Sequence, residues 1–130
     1  MSDVPWYGGV SATSPDGHWH AAIEEAYEIA MGAPTAGTLE LSDGRTFDWC
    51  NPALVWSSDS RYLAIPQWAE HGMQLLLVIS MDDGRHGYMP ELYRVLALET
   101  FEDGIIRGID SPIFQPVAIA VPVANVVWAA

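Results

Sequence analysis

The clearest indication of fold class in this chain is LVWSSDSRYLA, residues 54–64. Short polar residues at its centre, Ser57, Ser58 and Asp59, can accept hydrogen bonds from nearby backbone amides and therefore favour a tight turn. Aromatic and branched residues on either side of this centre, such as Trp56 and Tyr62, are typical of strands. The stretch therefore predicts two antiparallel strands joined by a turn.

The same pattern occurs twice in the sequence. Residues 14–22 (SPDGHWHAA) align with residues 57–65 (SSDSRYLAI) at a shift of 43 residues. Each copy continues, some 20 residues later, into an apolar strand and an Asp-Gly turn, at Thr38–Gly44 and Val78–Gly84. A period near 40 residues is that of a four-stranded propeller blade.

Residues 54–64 resemble the TolB-type β-propeller repeat, which reads approximately W-S-P-D-G-R-Y-L-A. The match is partial, because Ser58 and Ser60 replace the usual proline and glycine, and the first copy has His20 where an apolar residue is usual. A chain of 130 residues holds at most about three blades, whereas closed propellers typically have four or more. We therefore predict a mainly β fold, with antiparallel sheets packed as a sandwich and propeller-blade-like hairpins. Turns of this type also arise in unrelated β proteins.

The other turn signals and apolar runs in the sequence also indicate a β fold. Asp-Gly pairs, which favour tight turns between antiparallel strands, occur at residues 16–17, 43–44, 83–84 and 103–104. Apolar runs between turns predict strands at 62–65, 75–79, 93–100 and 105–109, and the runs at 62–65 and 75–79 suit strands covered on both faces. Polar and flexible residues are spread along the chain without clustering into a linker, so we expect one domain over residues 1–130.

Two segments need a choice between structures. Residues 20–31 (HAAIEEAYEIAM) have the composition of a short helix, but the repeat favours a strand there. Residues 111–130 are apolar enough to suggest a membrane segment. Prolines at positions 112, 116 and 122 interrupt that segment, and we predict two buried strands instead, at Val117–Val121 and Val123–Trp128.

The charge of the chain limits its partners. Seventeen Asp and Glu residues against five Arg and no Lys give a formal charge of −12. Nucleic acids and anionic membranes need a basic surface, so neither is expected as a partner. A single cysteine suits a reducing compartment, and the first residues lack the pattern of a secretory signal, so we expect a cytoplasmic protein.

No catalytic pattern is found in the sequence. His18 and His20 are two apart, which would place them on one side of a strand, but two histidines are too few for a structural zinc site. Cys50 has apolar and acidic neighbours, which disfavour a reactive thiolate, and we expect it to be a buried packing residue. We therefore expect no enzymatic activity, no catalytic residue, no metal and no cofactor.

The overall character of the chain resembles that of small acidic bacterial toxin-immunity proteins. This resemblance implies direct binding of a basic protein, a bacterial toxin domain, with self-association left open. The alternatives are a β-fold enzyme, a carbohydrate-binding domain, a self-assembling propeller fragment, or acidity that serves only solubility. The candidate partner-binding residues are three acidic groups and one tryptophan that we expect to be exposed: Glu24, Glu25 and Glu28; Asp82 and Asp83; Glu99, Glu102 and Asp103; and Trp68.

Overall fold

The structure is a computed structural model that describes residues 10–23, 27–28, 35–69, 72–111 and 115–129. Strands account for most of this part of the chain, and Val123–Asn125 form a single 3₁₀ turn. The strands are β1 (Val10–Thr13), β2 (His20–Ile23), β3 (Tyr27–Glu28), β4 (Thr35–Leu41), β5 (Thr46–Cys50), β6 (Val55–Trp56), β7 (Tyr62–Trp68), β8 (Gln74–Ser80), β9 (His86–Tyr93), β10 (Leu96–Glu102), β11 (Ile105–Asp110), β12 (Val117–Pro122) and β13 (Val127–Trp128).

All strand pairs among the described residues are antiparallel and belong to two main sheets. The large sheet has the order β1-β2-β4-β5-β7-β8-β9-β13, with β3 beside β4 and β6 beside β7, and the small sheet has the order β10-β11-β12. The prediction of a mainly β fold with packed antiparallel sheets is confirmed. Within the ambiguous segment 20–31, residues 20–23 and 27–28 are strand, and the others lie outside the described residues.

Strands β7 and β8 are covered on both faces, as their unbroken apolar sequence predicts. Along β7, Leu63 and Ile65 join one buried cluster, whereas Ala64 between them joins another. Along β8, Leu77 and Ile79 belong to the first cluster, and Leu76 and Val78 belong to the second. The alternation follows the two-residue period of a strand and makes these two strands the centre of the molecule.

The two clusters show how the sheets fold around this centre. The first cluster also contains Ala21 and Ile23 from β2 and Leu39 and Leu41 from β4, so the large sheet bends back on itself. The second cluster joins the other face of β7 and β8 to the small sheet through residues of β10 and β11, which are Leu96, Phe101 and Ile106. Three layers of strands therefore enclose two apolar cores.

The predicted strand at residues 93–100 is wrong in part: residues 96–100 belong to β10, but the chain turns between β9 and β10. Residues 94 and 95 form the turn, and their backbone N–H groups both donate to Asp110 Oδ1, at 3.0 and 3.1 Å. Asp110 lies at the end of β11, 15 and 16 residues further along the chain. A distant carboxylate therefore satisfies the turn amides, and the turn forms without a turn-favouring residue in the local sequence.

The predicted pair of buried strands near the C-terminus is also wrong in part. β12 is a strand, but it lies at the edge of the small sheet, and half of its residues are exposed. Residues 123–125 form the 3₁₀ turn, and only Val127 and Trp128 return to strand, beside β9 in the large sheet. The chain has to cross from one sheet to the other after Pro122, which a continuous strand could not do.

Candidate functional site

The two repeat turns have the same hydrogen bonds. In the first turn, Asp16 Oδ1 accepts from Ser14 Oγ at 2.7 Å and from the N–H of His18 at 2.9 Å. In the second turn, Asp59 Oδ1 accepts from Ser57 Oγ at 2.6 Å and from the N–H of Arg61 at 3.1 Å. Each serine hydroxyl also accepts an N–H five residues further on. The repeat is therefore a repeated turn structure, as expected for Asp16 and Asp59.

Ser60 connects the two repeat turns. It occupies the position of Gly17 in the first copy and shares its left-handed backbone, with φ values of 65° and 79°. Such a conformation is costly for a residue with a side chain. The Ser60 hydroxyl accepts the N–H of Asp16 at 2.9 Å, and Ser60 is almost fully buried. A glycine here could not make this bond, which explains the departure from the Asp-Gly pattern.

Hydrogen bonds bring five turns to one end of the molecule. These turns are residues 14–19, 42–45, 57–61, 81–85 and 103–104, and we call this region the acidic end. The N–H of Ser42 donates to His20 O, and the N–H of Met81 donates to Arg61 O. The N–H of Ser58 donates to Phe101 O, near the last turn. Together with the Asp16–Ser60 bond, these contacts hold the turns side by side.

The acidic end, with the adjoining Glu102, carries seven carboxylates and three guanidinium groups. Each arginine pairs with a turn aspartate: Arg45 with Asp43 at 2.7 Å, Arg61 with Asp82 at 2.9 Å, and Arg85 with Asp83 at 2.9 Å. Both members of the Asp82–Asp83 group therefore have an arginine partner. Among the described residues, Glu102 and Asp103 have no ion pair, and both are exposed.

The turn hydrogen bonds keep several of these carboxylates ionised. The N–H and ring of His18, with the Ser14 hydroxyl, hold the pKa of Asp16 far below its usual range. The Ser80 hydroxyl and Arg85 lower the pKa of Asp83 to about 2. At Asp59, partial burial raises the pKa, but the hydrogen bonds from the Ser57 hydroxyl and the Arg61 N–H lower it by more, so the net pKa is lowered. These three carboxylates therefore remain ionised well below neutral pH.

The structure separates the predicted partner-binding residues. Asp82, Asp83, Glu102 and Asp103 lie together at the acidic end, and all four are exposed. Glu99 is exposed in the middle of β10, where the pairing with β11 shifts by one residue. The remaining residues are located away from this end or are not described: Glu28 lies in β3 and Trp68 ends β7, both at the opposite end, and Glu24 and Glu25 lie outside the described residues.

Among the tryptophans that the structure describes, Trp49, rather than Trp68, is exposed. Trp68 is half-buried, whereas Trp49 is 54% exposed. Trp49 lies where the β4–β5 pairing shifts register, and its φ is 61°. A bulge can redirect a side chain outward, which is how β5 presents this ring. The segment Asp48-Trp49-Cys50 contains neither a glycine nor an asparagine that would have indicated a left-handed residue.

The candidate chemical groups do not form a reactive centre in the described part of the chain. Cys50 is a buried packing residue, as predicted, and burial raises the pKa of its thiol to about 12. His18 contacts Asp16 at 3.1 Å from within the turn, and His20 contacts the Thr13 hydroxyl at 3.1 Å from the start of β2. No group of three or more His, Cys, Asp and Glu side chains in the described ranges could hold a metal ion.

Comparison with known proteins assigns no family. No family model, no curated protein and no solved structure matches this chain. None of the described residues forms a helix long and apolar enough to span a membrane. The site must therefore be interpreted from its own geometry and charge.

Proposed function

We propose that this chain is a binding protein that neutralises a basic partner protein by direct contact through the acidic end. An immunity protein that blocks a cognate bacterial toxin domain in the cytoplasm is the specific form of this proposal. The observation that carries it is the convergence of five turns, which place seven carboxylates against three arginines on one surface. Nucleic acids and anionic membranes would be repelled by this surface.

The construction of the acidic end suits recognition. Aspartates whose Oδ1 atoms accept turn amides, as at positions 16, 43, 59 and 83, lose little conformational freedom when a partner binds. Glu102 and Asp103 offer exposed charges without an ion pair among the described residues. Complementary charge speeds the encounter with a cationic protein, whereas desolvated contacts set the rate of dissociation.

The test is affinity capture from lysates of the source cells, with the purified chain immobilised. Two charge-neutralised variants are compared with the wild type. Glu102→Gln/Asp103→Asn removes two charges at the acidic end, and Asn tolerates the left-handed backbone of Asp103, whose φ is 53°. Asp48→Asn/Glu91→Gln removes two exposed charges toward the opposite end and serves as the matched control.

We expect the wild type and the control variant to capture the same basic protein, and the acidic-end variant to capture less of it. High salt should elute that protein, because exposed charge pairs are screened within about 8–10 Å at physiological ionic strength. A captured partner that is itself acidic, or equal capture by the two variants, would contradict the proposal. Either result would leave the acidity of the chain as a means of solubility.

A further inference from the structure

The outer edge of β12 is an open strand edge of unusual composition. Among the described strands, β12 pairs only with β11, so one side of its backbone has no ladder partner. Its six residues, VAIAVP, are all apolar, and Val117 is 57% exposed. Ile119 and Val121 pack against the second core, whereas Ala118 and Ala120 are exposed on the other face.

β12 has few of the features that protect strand edges from pairing. Natural edges are commonly interrupted by charged residues, central prolines, bulges or short strands. β12 has no charged residue, its prolines lie only at position 122 and just before the strand, and its six pairs with β11 have an uninterrupted register. The other described outer strands of the large sheet, β1 and β13, have only four and two residues.

The charge distribution indicates what pairs with this edge. Residues 111–130 contain no charged residue, in a chain whose formal charge is −12. A basic protein would find no carboxylate on β12 to attract it. Two copies of the chain repel each other through their acidic surfaces, but they can approach along an uncharged strand. Related by a two-fold axis, two such strands align antiparallel and present identical apolar surfaces to each other.

We propose that β12 pairs with β12 of a second copy of this chain, so that two small sheets form one six-stranded antiparallel sheet. The backbone groups on the open edge of β12 would then hydrogen-bond to their counterparts in the other copy. This inference is independent of the proposed function, because it concerns a different surface and a different partner.

Sedimentation equilibrium tests this proposal on the intact chain. Loading concentrations from about 1 µM to about 1 mM span the dissociation constants of weak to moderate complexes. We expect a reversible monomer–dimer equilibrium within this range. Ala118→Glu should weaken dimerisation at least tenfold, because it brings two like charges together across the new strand pair. Ala129→Glu, the same exposed change outside β12, is the matched control and should have less than a twofold effect.

Amide hydrogen exchange of the wild type tests the same edge without a substitution. In an unpaired edge strand, alternate N–H groups point away from the sheet. We expect these alternate β12 amides to gain protection as the concentration rises through the dimerisation range. A chain that remains monomeric at about 1 mM, or a dimer weakened equally by both variants, would overturn the proposal. So would full protection of β12 at every concentration, which would show that a segment of the same chain covers the edge.

Discussion

Replacement of Asp59 tests the interpretation of the repeat as a pair of hydrogen-bonded turns. Asp59→Ala removes an oxygen that accepts from Ser57 Oγ at 2.6 Å and from the N–H of Arg61 at 3.1 Å. A hydrogen bond contributes about 0.5–1.5 kcal/mol to stability, and water can replace part of this interaction at an exposed turn. We therefore expect Asp59→Ala to lower the free energy of unfolding by about 1–2 kcal/mol.

The assay is urea unfolding at 25 °C and pH 7, with two further variants for comparison. Asp59→Asn keeps an oxygen at the Oδ1 position and should lose about half as much stability as Asp59→Ala. Asp82→Ala removes a carboxylate that pairs with Arg61 on the surface, and an exposed ion pair contributes only about 0.2–1 kcal/mol. Equal losses for Asp59→Ala and Asp82→Ala would refute the turn assignment, as would an Asp59→Asn variant no more stable than Asp59→Ala.

Three further predictions concern the same turns and the buried cysteine. Ser60→Ala should lower the free energy of unfolding, measured in urea, by about 1–2 kcal/mol, because it removes the acceptor of the Asp16 N–H. Ser60→Gly should lower it less, because glycine adopts positive φ without strain. Cys50→Ala should preserve partner capture, and the native thiol should react with a maleimide at least about 100-fold more slowly than the thiol in urea; comparable rates would contradict its burial. The turn carboxyls have lowered pKa values, so they stabilise the fold fully above about pH 5, and this stabilisation is lost as the pH falls toward their folded-state pKa values. Thermal unfolding at pH 2–7 should therefore show a smaller acid-induced loss of stability for Asp59→Asn than for the wild type.

The parts of the fold that could be predicted from sequence depend on local chemistry. The four turns marked by Asp-Gly pairs are found where they were predicted. In three of them, at Asp16, Asp43 and Asp83, the aspartate accepts the amide two residues further on. In the fourth, both Asp103 and Gly104 have positive φ. The apolar run at 75–79 predicted a strand covered on both faces, and its residues do belong to both buried clusters. The turn at residues 94–95 could not be predicted, because its amide partner, Asp110, becomes a neighbour only after β10 and β11 have paired.

The candidate site was less predictable than the fold. The acidic groups are visible in the sequence, but their gathering at one end depends on contacts such as that between Asp16 and Ser60, which are 44 residues apart. Asp82 and Asp83 pair with arginines that are 21 and two residues away, respectively, so composition could not show which charges are neutralised. The exposure of Trp49 depends on a register shift between β4 and β5 that no local residue indicates.

The most direct test of the acidic end as a recognition surface is the association rate of the captured partner, measured by surface plasmon resonance as the salt concentration is raised. From about 0.05 M to about 0.5 M salt, the Debye length falls from about 14 to about 4 Å, and the association rate should fall at least about tenfold while the dissociation rate changes much less. At low salt, Glu102→Gln/Asp103→Asn should slow association about threefold or more, whereas Asp48→Asn/Glu91→Gln should change it by less than about 1.5-fold. An association rate that is indifferent to salt, or equal slowing by the two variants, would contradict recognition through the acidic end.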